Sequence, residues 1–228
     1  LTSATQGVEI PGFVGLKSPQ ILDFLGDKIS HLQVKKVVSA TKDKLETLVQ
    51  LLGQLGSKNG IIFCNFKDSI ERVSNYLSDQ GISHGVFSGG MEQIDRERAL
   101  IKFRNGTHPL LLATDLAARG IDVPELDFII HYHLPLRAEE FIHRNGRTAR
   151  MNSQGTAYIL QYEKEPLPDF VGNPKLEKLQ RATLPAPSPW CTLLISGGRK
   201  DKISKGDIAG LFFKQGGLTP EDLGTIEL

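Results

Sequence analysis

The bulk composition of this chain is that of a globular protein of ordinary size. It has 228 residues, of which 39% are hydrophobic and 23% charged, and its formal net charge is +1. No apolar run approaches the roughly 18 residues that span a bilayer, so we expect no part of it to enter a membrane. The small net charge excludes a uniformly basic coat, and a polyanion would have to be met by local Arg and Lys clusters. Two cysteines, Cys64 and Cys191, are too few for a disulfide framework or a zinc site, which favours a reducing cytoplasm.

Alternating apolar runs and amphipathic stretches organise the chain from Lys36 onward. The apolar runs predict strands at Val37–Val38, Ile61–Cys64, Val86–Phe87, Leu110–Ala113, Phe128–His131 and Ala157–Gln161. Between them, apolar residues at helical spacing predict helices, for example over Lys44–Leu55 and Asp68–Leu77. This alternation predicts an α/β fold with helices on both faces of a parallel sheet. The loops after the strands then meet at one edge, where open α/β sheets bind ligands.

The texture of the sequence changes after Tyr162. A Pro-containing stretch with a short helix candidate near Pro174–Arg181 is followed by three closely spaced prolines, which is typical of a linker. The elements expected beyond it are a strand, a helix and the start of another strand, at Cys191–Ser196, Lys205–Lys214 and Ile226–Leu228. A further unit therefore begins and is cut off, and we expect the chain to be a fragment of a longer protein.

The most informative segment is residues 143–150, which read His-Arg-Asn-Gly-Arg-Thr-Ala-Arg. Its arginines Arg144, Arg147 and Arg150 are three residues apart, so a helix would place them on one face. Guanidinium groups carry a permanent charge and a planar fork of donors, which suits the terminal phosphate of a nucleotide. Taken alone, the segment is also compatible with a solvated basic turn of helix.

A second segment, residues 113–122, reads Ala-Thr-Asp-Leu-Ala-Ala-Arg-Gly-Ile-Asp and follows a predicted strand. Thr114 offers a hydroxyl and a backbone N–H to a phosphate, and Gly120 lets the backbone approach a ligand closely. Asp122 could accept a ribose hydroxyl, and Arg119 could bridge the two sites. The alternative is an ordinary loop in which Asp122 shapes a turn before Pro124.

Taken together, these segments resemble the superfamily-two helicases, and within them the DEAD-box RNA helicases. The matching segments, in chain order, are Ser3–Thr5 (motif III), Ile61–Lys67 (motif IV), Gln93–Arg96 (the Gln-x-x-Arg motif), Thr114–Asp122 (motif V) and His143–Arg150 (motif VI). The resemblance covers residues 1 to about 162. It implies the tail of a first motor domain at 1–26, partly disordered or packed atypically, a second RecA-like domain at 27–165 and a linker at 166–190.

The resemblance also implies a role for individual residues. Arg147 and Arg150 would be arginine fingers for the γ-phosphate of ATP, and Gly120 and Asp122 would hold its ribose. The residues implied in contact with the RNA backbone are Asn65, Lys67, Gly90, Gln93, Arg96 and Thr114. Those implied in coupling to the first motor domain are Ser3, Thr5, Arg119, His143 and Arg144.

Some features of the family pattern are absent or altered. No phosphate loop and no Asp-Glu-Ala-Asp stretch occurs in the chain, so the missing first domain would hold most of the Mg²⁺ that accompanies ATP, and the chain alone should be inactive. Asn145 stands where the family usually has Ile, and Ala149 where it often has Gly. Phe66 stands where Thr or Ser is common, which removes a hydroxyl near the RNA.

Residues 197–207, Gly-Gly-Arg-Lys-Asp-Lys-Ile-Ser-Lys-Gly-Asp, carry the main basic cluster after the linker. A solvated loop is one interpretation. Behind a DEAD-box core, the segment resembles the start of the α+β RNA-recognition-type domain of the bacterial DbpA group, here at 191–228. That resemblance implies RNA contacts from Arg199, Lys200 and Lys202, and large-subunit ribosomal RNA as the partner.

The expected function is thus the C-terminal motor domain of an ATP-dependent RNA helicase that unwinds short duplexes during ribosome assembly. One rival is a DNA helicase or translocase of the same superfamily, which would share the finger arginines. Another is a non-enzymatic RNA-binding assembly factor built on a degenerate motor domain. The presence of Arg147, Arg150 and Asp122 argues against that degeneration.

Overall fold

The computed structural model describes residues 14–15, 32–115, 123, 126–148 and 155–227. The strands within these residues are β1 (Leu32–Ser39), β2 (Gly60–Phe63), β3 (His84–Phe87), β4 (Leu110–Ala113), β5 (Phe128–His131), β6 (Gly155–Tyr162) and β7 (Lys175–Leu176). The α-helices are α1 (Leu45–Leu55), α2 (Lys67–Asp79), α3 (Gln93–Arg104), α4 (Ala138–Asn145) and α5 (Lys205–Lys214). None of these helices combines the length and the apolarity needed to cross a bilayer.

The strands form one sheet in the order β3-β4-β2-β5-β6-β1-β7, and every pair of neighbours is parallel. The predicted α/β class is therefore confirmed. All residues of β2, β4 and β5 are buried, because a parallel sheet between helices has no solvent face. The strands predicted at Leu110–Ala113 and Phe128–His131 have the observed bounds.

Side chains alternate between two apolar layers along the central strands. On β2 and just after it, Ile62 and Cys64 pack in the layer that contains the leucines of α1 and the apolar face of α2. Ile61 and Phe63 pack in the opposite layer, where α3 contributes Phe103. Helices thus cover both faces, and a slip of one residue in the register of β2 would exchange the two sets of side chains.

The parallel register aligns the ends of the central strands. Phe63, the last residue of β2, pairs with Ala113 at the end of β4 and with His131 at the end of β5. Phe87 at the end of β3 also pairs with Ala113. We call this row of strand ends, together with the loops that follow, the carboxyl edge of the sheet. Asn65–Lys67 of motif IV, Thr114 and Asp115 of motif V and Arg144 of motif VI lie at or next to it, whereas Thr148 of motif VI bonds to Leu126, before β5.

The helix predicted near Pro174–Arg181 is wrong. Lys175 and Leu176 instead form β7, which pairs with Lys35 and Lys36 of β1. The backbone N–H of Glu177 donates to the carbonyl of Lys36 at 2.8 Å, and the Glu177 carboxylate lies 2.8 Å from the Lys35 ammonium. The segment is extended because an open strand edge offered backbone partners that a short isolated helix would lack.

The C-terminal unit matches the sequence expectation only in its helix. α5 has the predicted bounds, and its N-cap Ser204 forms reciprocal hydrogen bonds with Asp207. The strands predicted at Cys191–Ser196 and from Ile226 are wrong over described residues 191–227, because no neighbouring segment there offers a strand to pair with. The Thr192 hydroxyl instead lies 2.7 Å from that of Thr107, just after α3.

Candidate functional site

The carboxyl edge is built around the guanidinium group of Arg144, on the last turn of α4. This side chain is only 1% exposed, although Arg is rarely buried without a partner. Its Nε donates to Oδ1 of Asp115 at 2.6 Å, and its Nη2 donates to Oδ2 at 2.5 Å. This parallel two-bond geometry is the strongest form of Arg–carboxylate pairing. Asp115 follows β4 while α4 follows β5, so the pair ties two strand ends together.

The remaining donors of Arg144 hold two more loops. Nη2 donates to Oδ1 of Asn65 at 2.8 Å, and Nη1 donates to the carbonyl of His133 at 2.6 Å. The amide nitrogen of Asn65 then donates to the carbonyl of Leu134 at 2.8 Å. The guanidinium carbon lies 4.9 Å from the ring centroid of Phe63, within the range of a cation–π contact. One side chain therefore fixes the loops that follow β2, β4 and β5.

A buried histidine and a buried asparagine complete this network. Nε2 of His131 lies 3.0 Å from Oδ1 of Asn145, and its Nδ1 lies 3.5 Å from Nη1 of Arg144. Burial, and then the neighbouring Arg144, lower the pKa of His131 to about 3, so the ring is neutral. The Asn145 oxygen can only accept, so Nε2 carries the proton and Nδ1 turns its lone pair toward the guanidinium.

These contacts bear on the roles expected for two residues. Arg144 was expected to couple to the first motor domain; its described partners lie within its own domain, and the coupling stays a prediction. Asn65 was expected to contact RNA, but both atoms of its amide are already hydrogen-bonded inside the network. Its RNA contact stays a prediction. The physical reason in both cases is Asp115, whose carboxylate draws the guanidinium inward and thereby organises the side chains around it.

Three residues at or near the surface, Lys67, Gly90 and Thr114, form a row outside this network. Lys67 begins α2, and its ammonium nitrogen would lie 2.2 Å from a Cβ placed on Gly90. Lys67 follows β2 and Gly90 follows β3, so their contact crosses the end of β4, where Thr114 lies half-buried. The structure thus brings together three residues that sequence comparison had assigned to RNA.

The Gln-x-x-Arg motif forms the first turn of α3 beside this row. Gln93 is exposed, and its amide donates to Glu97 at 2.9 Å. The guanidinium carbon of Arg96 lies 4.8 Å from the ring centroid of Phe87, at the end of β3. This cation–π contact holds the Arg96 guanidinium over an aromatic ring at a strand end. The RNA contacts of both residues stay predictions.

The nucleotide half-site is described only in part. Arg147 is half-buried one turn after Arg144, and its backbone N–H donates to the Arg144 carbonyl at 3.1 Å. His143 is exposed on the same helix. Other residues predicted to bind nucleotide or to couple the two motor domains lie outside the described residues. They are Ser3, Thr5, Arg119, Gly120, Asp122 and Arg150.

One described residue fits a nucleotide phosphate. Arg147 supplies a guanidinium group in the turn that directly follows α4, the helix whose last turn carries Arg144. The described residues contain no cluster of three or more His, Cys, Asp or Glu side chains suited to a metal ion.

In the C-terminal unit, Arg199 and Lys200 lie on an exposed 3-10 turn that ends at Asp201. The Asp201 carboxylate accepts from the backbone N–H of Gly198 at 2.9 Å and closes the turn. Lys202 follows with a φ of 60°, a left-handed conformation that turns the chain sharply. The three basic side chains are thus solvent-exposed, and their RNA contact stays a prediction.

Sequence reasoning missed Lys44, a buried lysine at the carboxyl edge. Its ammonium donates to the carbonyls of Tyr132 and Leu160, at 2.5 and 3.1 Å, and so joins the ends of β5 and β6. Its backbone has a φ of 56°, which is unusual for a residue with a side chain. Burial lowers its pKa. A lysine just before a helix gave no signal of this role in the sequence.

Two family profiles match the chain. Residues 43–152 match the helicase conserved C-terminal domain, and residues 192–228 match the DbpA RNA binding domain. The ATP-dependent RNA helicase DbpA of Escherichia coli is 32% identical over 88% of this chain and 46% of that protein. Residues 43–152 thus belong to the helicase C-terminal domain family, and the chain is similar to DEAD-box helicases. DbpA of Bacillus subtilis is 29% identical over 93% of this chain and 51% of its own length, so the chain spans about half the length of the curated relatives it matches.

The fold supports the same family assignment. The E. coli DEAD-box protein SrmB, solved in complex with the regulator of ribonuclease activity RraA, has a TM-score of 0.57 and 28% identity. The match covers 68% of this chain and 96% of that one. The parallel sheet described above is therefore the RecA-like sheet of a DEAD-box C-terminal domain, and the network at its carboxyl edge lies among DEAD-box motifs IV, V and VI.

Proposed function

We propose that this chain is the second motor domain, with the start of a C-terminal RNA-binding domain, of an ATP-dependent RNA helicase that unwinds short duplexes. The observation that carries the proposal is the contact of Lys67 with Gly90 across the end of β4, next to the buried Arg144 network. Hydrogen-bond donors that bind backbone phosphates hold a strand without reading its bases. The ammonium of Lys67, lying against Gly90 on an open surface, is one such donor.

In the proposed cycle, ATP and single-stranded RNA together close this domain on the first motor domain. RNA phosphates lie along Lys67, Gly90 and Thr114, while Arg147 approaches the γ-phosphate and offsets the charge that grows during its transfer. The Arg144 network supports coupling between the two events. Asp115 is adjacent to Thr114, and its ion-pair partner Arg144 accepts a hydrogen bond from the backbone N–H of Arg147.

The finer parts of the proposal concern the target and the compartment. Large-subunit ribosomal RNA is the proposed partner, supported by the match of residues 192–228 to the DbpA RNA binding domain. A cytoplasmic location is proposed as well, and the free thiols of Cys64 and Cys191 are consistent with a reducing compartment. Crosslinking of the tagged protein in cells followed by sequencing of the bound RNA tests the target, which enrichment of other RNAs would contradict. Imaging of the tagged protein in cells tests the location, which a signal outside the cytoplasm would contradict.

The central test is ATP hydrolysis by the full-length protein with Arg147→Lys. An arginine finger contributes roughly 10³-fold or more to the rate, and Lys keeps the charge but loses the planar fork, so RNA-stimulated turnover should nearly vanish while RNA binding persists. Arg72→Lys, in an exposed ion pair on α2, is the control and should behave as wild type. Unchanged turnover in Arg147→Lys would overturn the assignment.

The same assay separates the two alternatives. Stimulation by single-stranded DNA as strong as that by RNA of equal length would favour a DNA helicase or translocase. RNA binding by the wild-type protein without any ATP turnover would favour the non-enzymatic assembly factor. The proposed function requires turnover that RNA stimulates and DNA does not.

A further inference from the structure

Phe66 is an exposed aromatic residue next to Lys67, at one end of the row assigned to RNA. Its side chain is 65% exposed, although aromatic side chains are usually at least partly buried. It lies between Asn65, which belongs to the Arg144 network, and Lys67, whose ammonium lies against Gly90. Related helicases usually have a small hydroxyl residue at this position. A large ring therefore stands in solvent where a phosphate-tracking site would need only a small polar side chain.

The backbone of Phe66 is held in place on both sides, and its ring contacts one neighbouring ring. Its backbone is extended, with φ −126° and ψ 149°, because it is the N-cap of α2, and its carbonyl accepts from the N–H of Ile70 at 3.2 Å. Before it, the amide of Asn65 is fixed by Arg144 and Leu134. The ring itself meets the imidazole of His133 edge to face, with centroids 6.1 Å apart and planes at 63°.

His133 is a neutral support for this ring. Burial lowers its pKa to about 4, and the charges of Lys44 and Arg144 act in the same direction. A neutral ring in edge contact stabilises the Phe66 orientation without adding a charge that would draw a phosphate onto the aromatic face. The phosphate-binding charge instead comes from Lys67, the next residue along the chain.

We propose that Phe66 is a stacking platform for an unpaired base of the bound RNA strand. This inference rests on the proposed RNA-binding function and adds a base contact to a surface otherwise made of phosphate donors. Every base has a π-face, so stacking on Phe66 would raise affinity for single strands without selecting a sequence. A base stacked there is unavailable for pairing, which would favour the unwound state of a duplex.

The test compares two ten-nucleotide RNA probes bound by the full-length protein with a non-hydrolysable ATP analogue. One is oligouridylate, and the other has the same backbone without bases. Phe66→Ala should weaken binding of oligouridylate about 5- to 100-fold and leave binding of the abasic strand unchanged. Phe66→Thr should behave like Phe66→Ala, and Phe66→Trp should restore the preference for the strand with bases.

Leu176→Ala is the matched control, because Leu176 is 47% exposed on β7, at the edge of the sheet opposite β3. It should bind both strands as wild type does. Equal losses on both strands would overturn the proposal, since they indicate contact with the backbone or with the first motor domain. Equal binding by wild type and Phe66→Ala would overturn it too. A wild-type protein that binds neither strand would instead refute the proposed function itself.

Discussion

Arg144 and Asp115 form an ion pair of 2.5 Å inside the domain, whereas Arg72 and Asp43 form one of 2.6 Å on its surface. The two pairs have the same chemistry and nearly the same length. They differ in their surroundings, because the Arg144 side chain is 1% exposed and the Arg72 side chain is 62% exposed. Water screens the outer pair and competes for its partners, while the inner guanidinium has only protein atoms to bind.

This contrast predicts that breaking the two ion pairs lowers the free energy of unfolding by unequal amounts. Asp115→Asn leaves the buried guanidinium without its counter-charge and should lower the free energy of unfolding by about 3–5 kcal/mol. Arg72→Ala removes a solvated pair and should cost about 0–1 kcal/mol. Unfolding in guanidinium chloride measures both. Losses of similar size would show that the inner pair is not the main tie between the strand ends.

The glycines Gly90 and Gly60 predict opposite consequences for one added methyl group. In Gly90→Ala the new Cβ displaces only the flexible end of Lys67, so stability should change by less than about 0.5 kcal/mol. RNA affinity should fall, and the slope of log affinity against log salt should lose about 0.7, as expected for one lost phosphate contact on a single strand. Salt titrations of RNA binding provide the measurement.

Gly60→Ala provides the control for that experiment. Its Cβ would lie 2.3 Å from the ring of Phe128, which is packed in the core and cannot move aside. Overpacking of this kind should cost about 1–3 kcal/mol of stability. An unstable Gly90→Ala, or a Gly90→Ala with an unchanged salt slope, would contradict the assigned contact between Lys67 and a phosphate.

The pair of His131 and Asn145 predicts a coupling energy. Asn145→Ile restores the residue usual in the family but leaves the His131 N–H buried without its acceptor, which should cost about 1–3 kcal/mol. Adding His131→Phe removes the stranded donor, so the double variant should be more stable than the sum of the single losses implies. A double-mutant cycle on unfolding free energies measures the coupling energy between His131 and Asn145. Additive losses in the two single variants would argue against the hydrogen bond.

The neutral state of His131 predicts how stability depends on pH. The pKa in the folded protein is about 3, below the ordinary value of 6.5, so between these values only the unfolded chain takes up the proton. The stabilisation is complete above pH 6.5 and is lost as the pH falls, by about 2 kcal/mol at pH 5. The lowered pKa of His133 acts in the same direction. Stability of His131→Gln measured from pH 7 to 5 should fall less steeply than that of wild type, and identical slopes would contradict the assignment.

The strands of the core were predictable because their physics is local. Leu110–Ala113 and Phe128–His131 are short, mostly apolar runs set between helical stretches, and both form buried strands of the parallel sheet. β7 was not predictable, because Lys175–Leu176 lies in a sequence of helical spacing and became a strand only through the free edge of β1. Its conformation is decided by a partner 140 residues away in sequence.

The site shows the same division. Spacing predicted Arg144 and Arg147 on one face of a helix. It could not tell their roles apart, since both are arginines of one motif. The structure separates them through Asp115, which lies 29 residues upstream of Arg144 and reaches it only because β4 and β5 end side by side around β2. Likewise, nothing in the sequence marked His131 as a partner of Asn145. Such roles depend on contacts that the fold creates.

The reach of Arg144 along the chain also bears on how the domain folds. Its partners Asp115 and Asn65 are 29 and 79 residues away, so the guanidinium finds Asp115 only after the β4–β5 crossover has closed, and Asn65 only after the β2–β3 and β3–β4 crossovers have closed as well. The chain loses the entropy of closing those loops before the contacts can form. We therefore expect the network to form late, on the native side of the folding barrier. The network should therefore mainly lower the rate of unfolding. Loss of Asp115 should shorten the lifetime of the folded domain more than it slows folding.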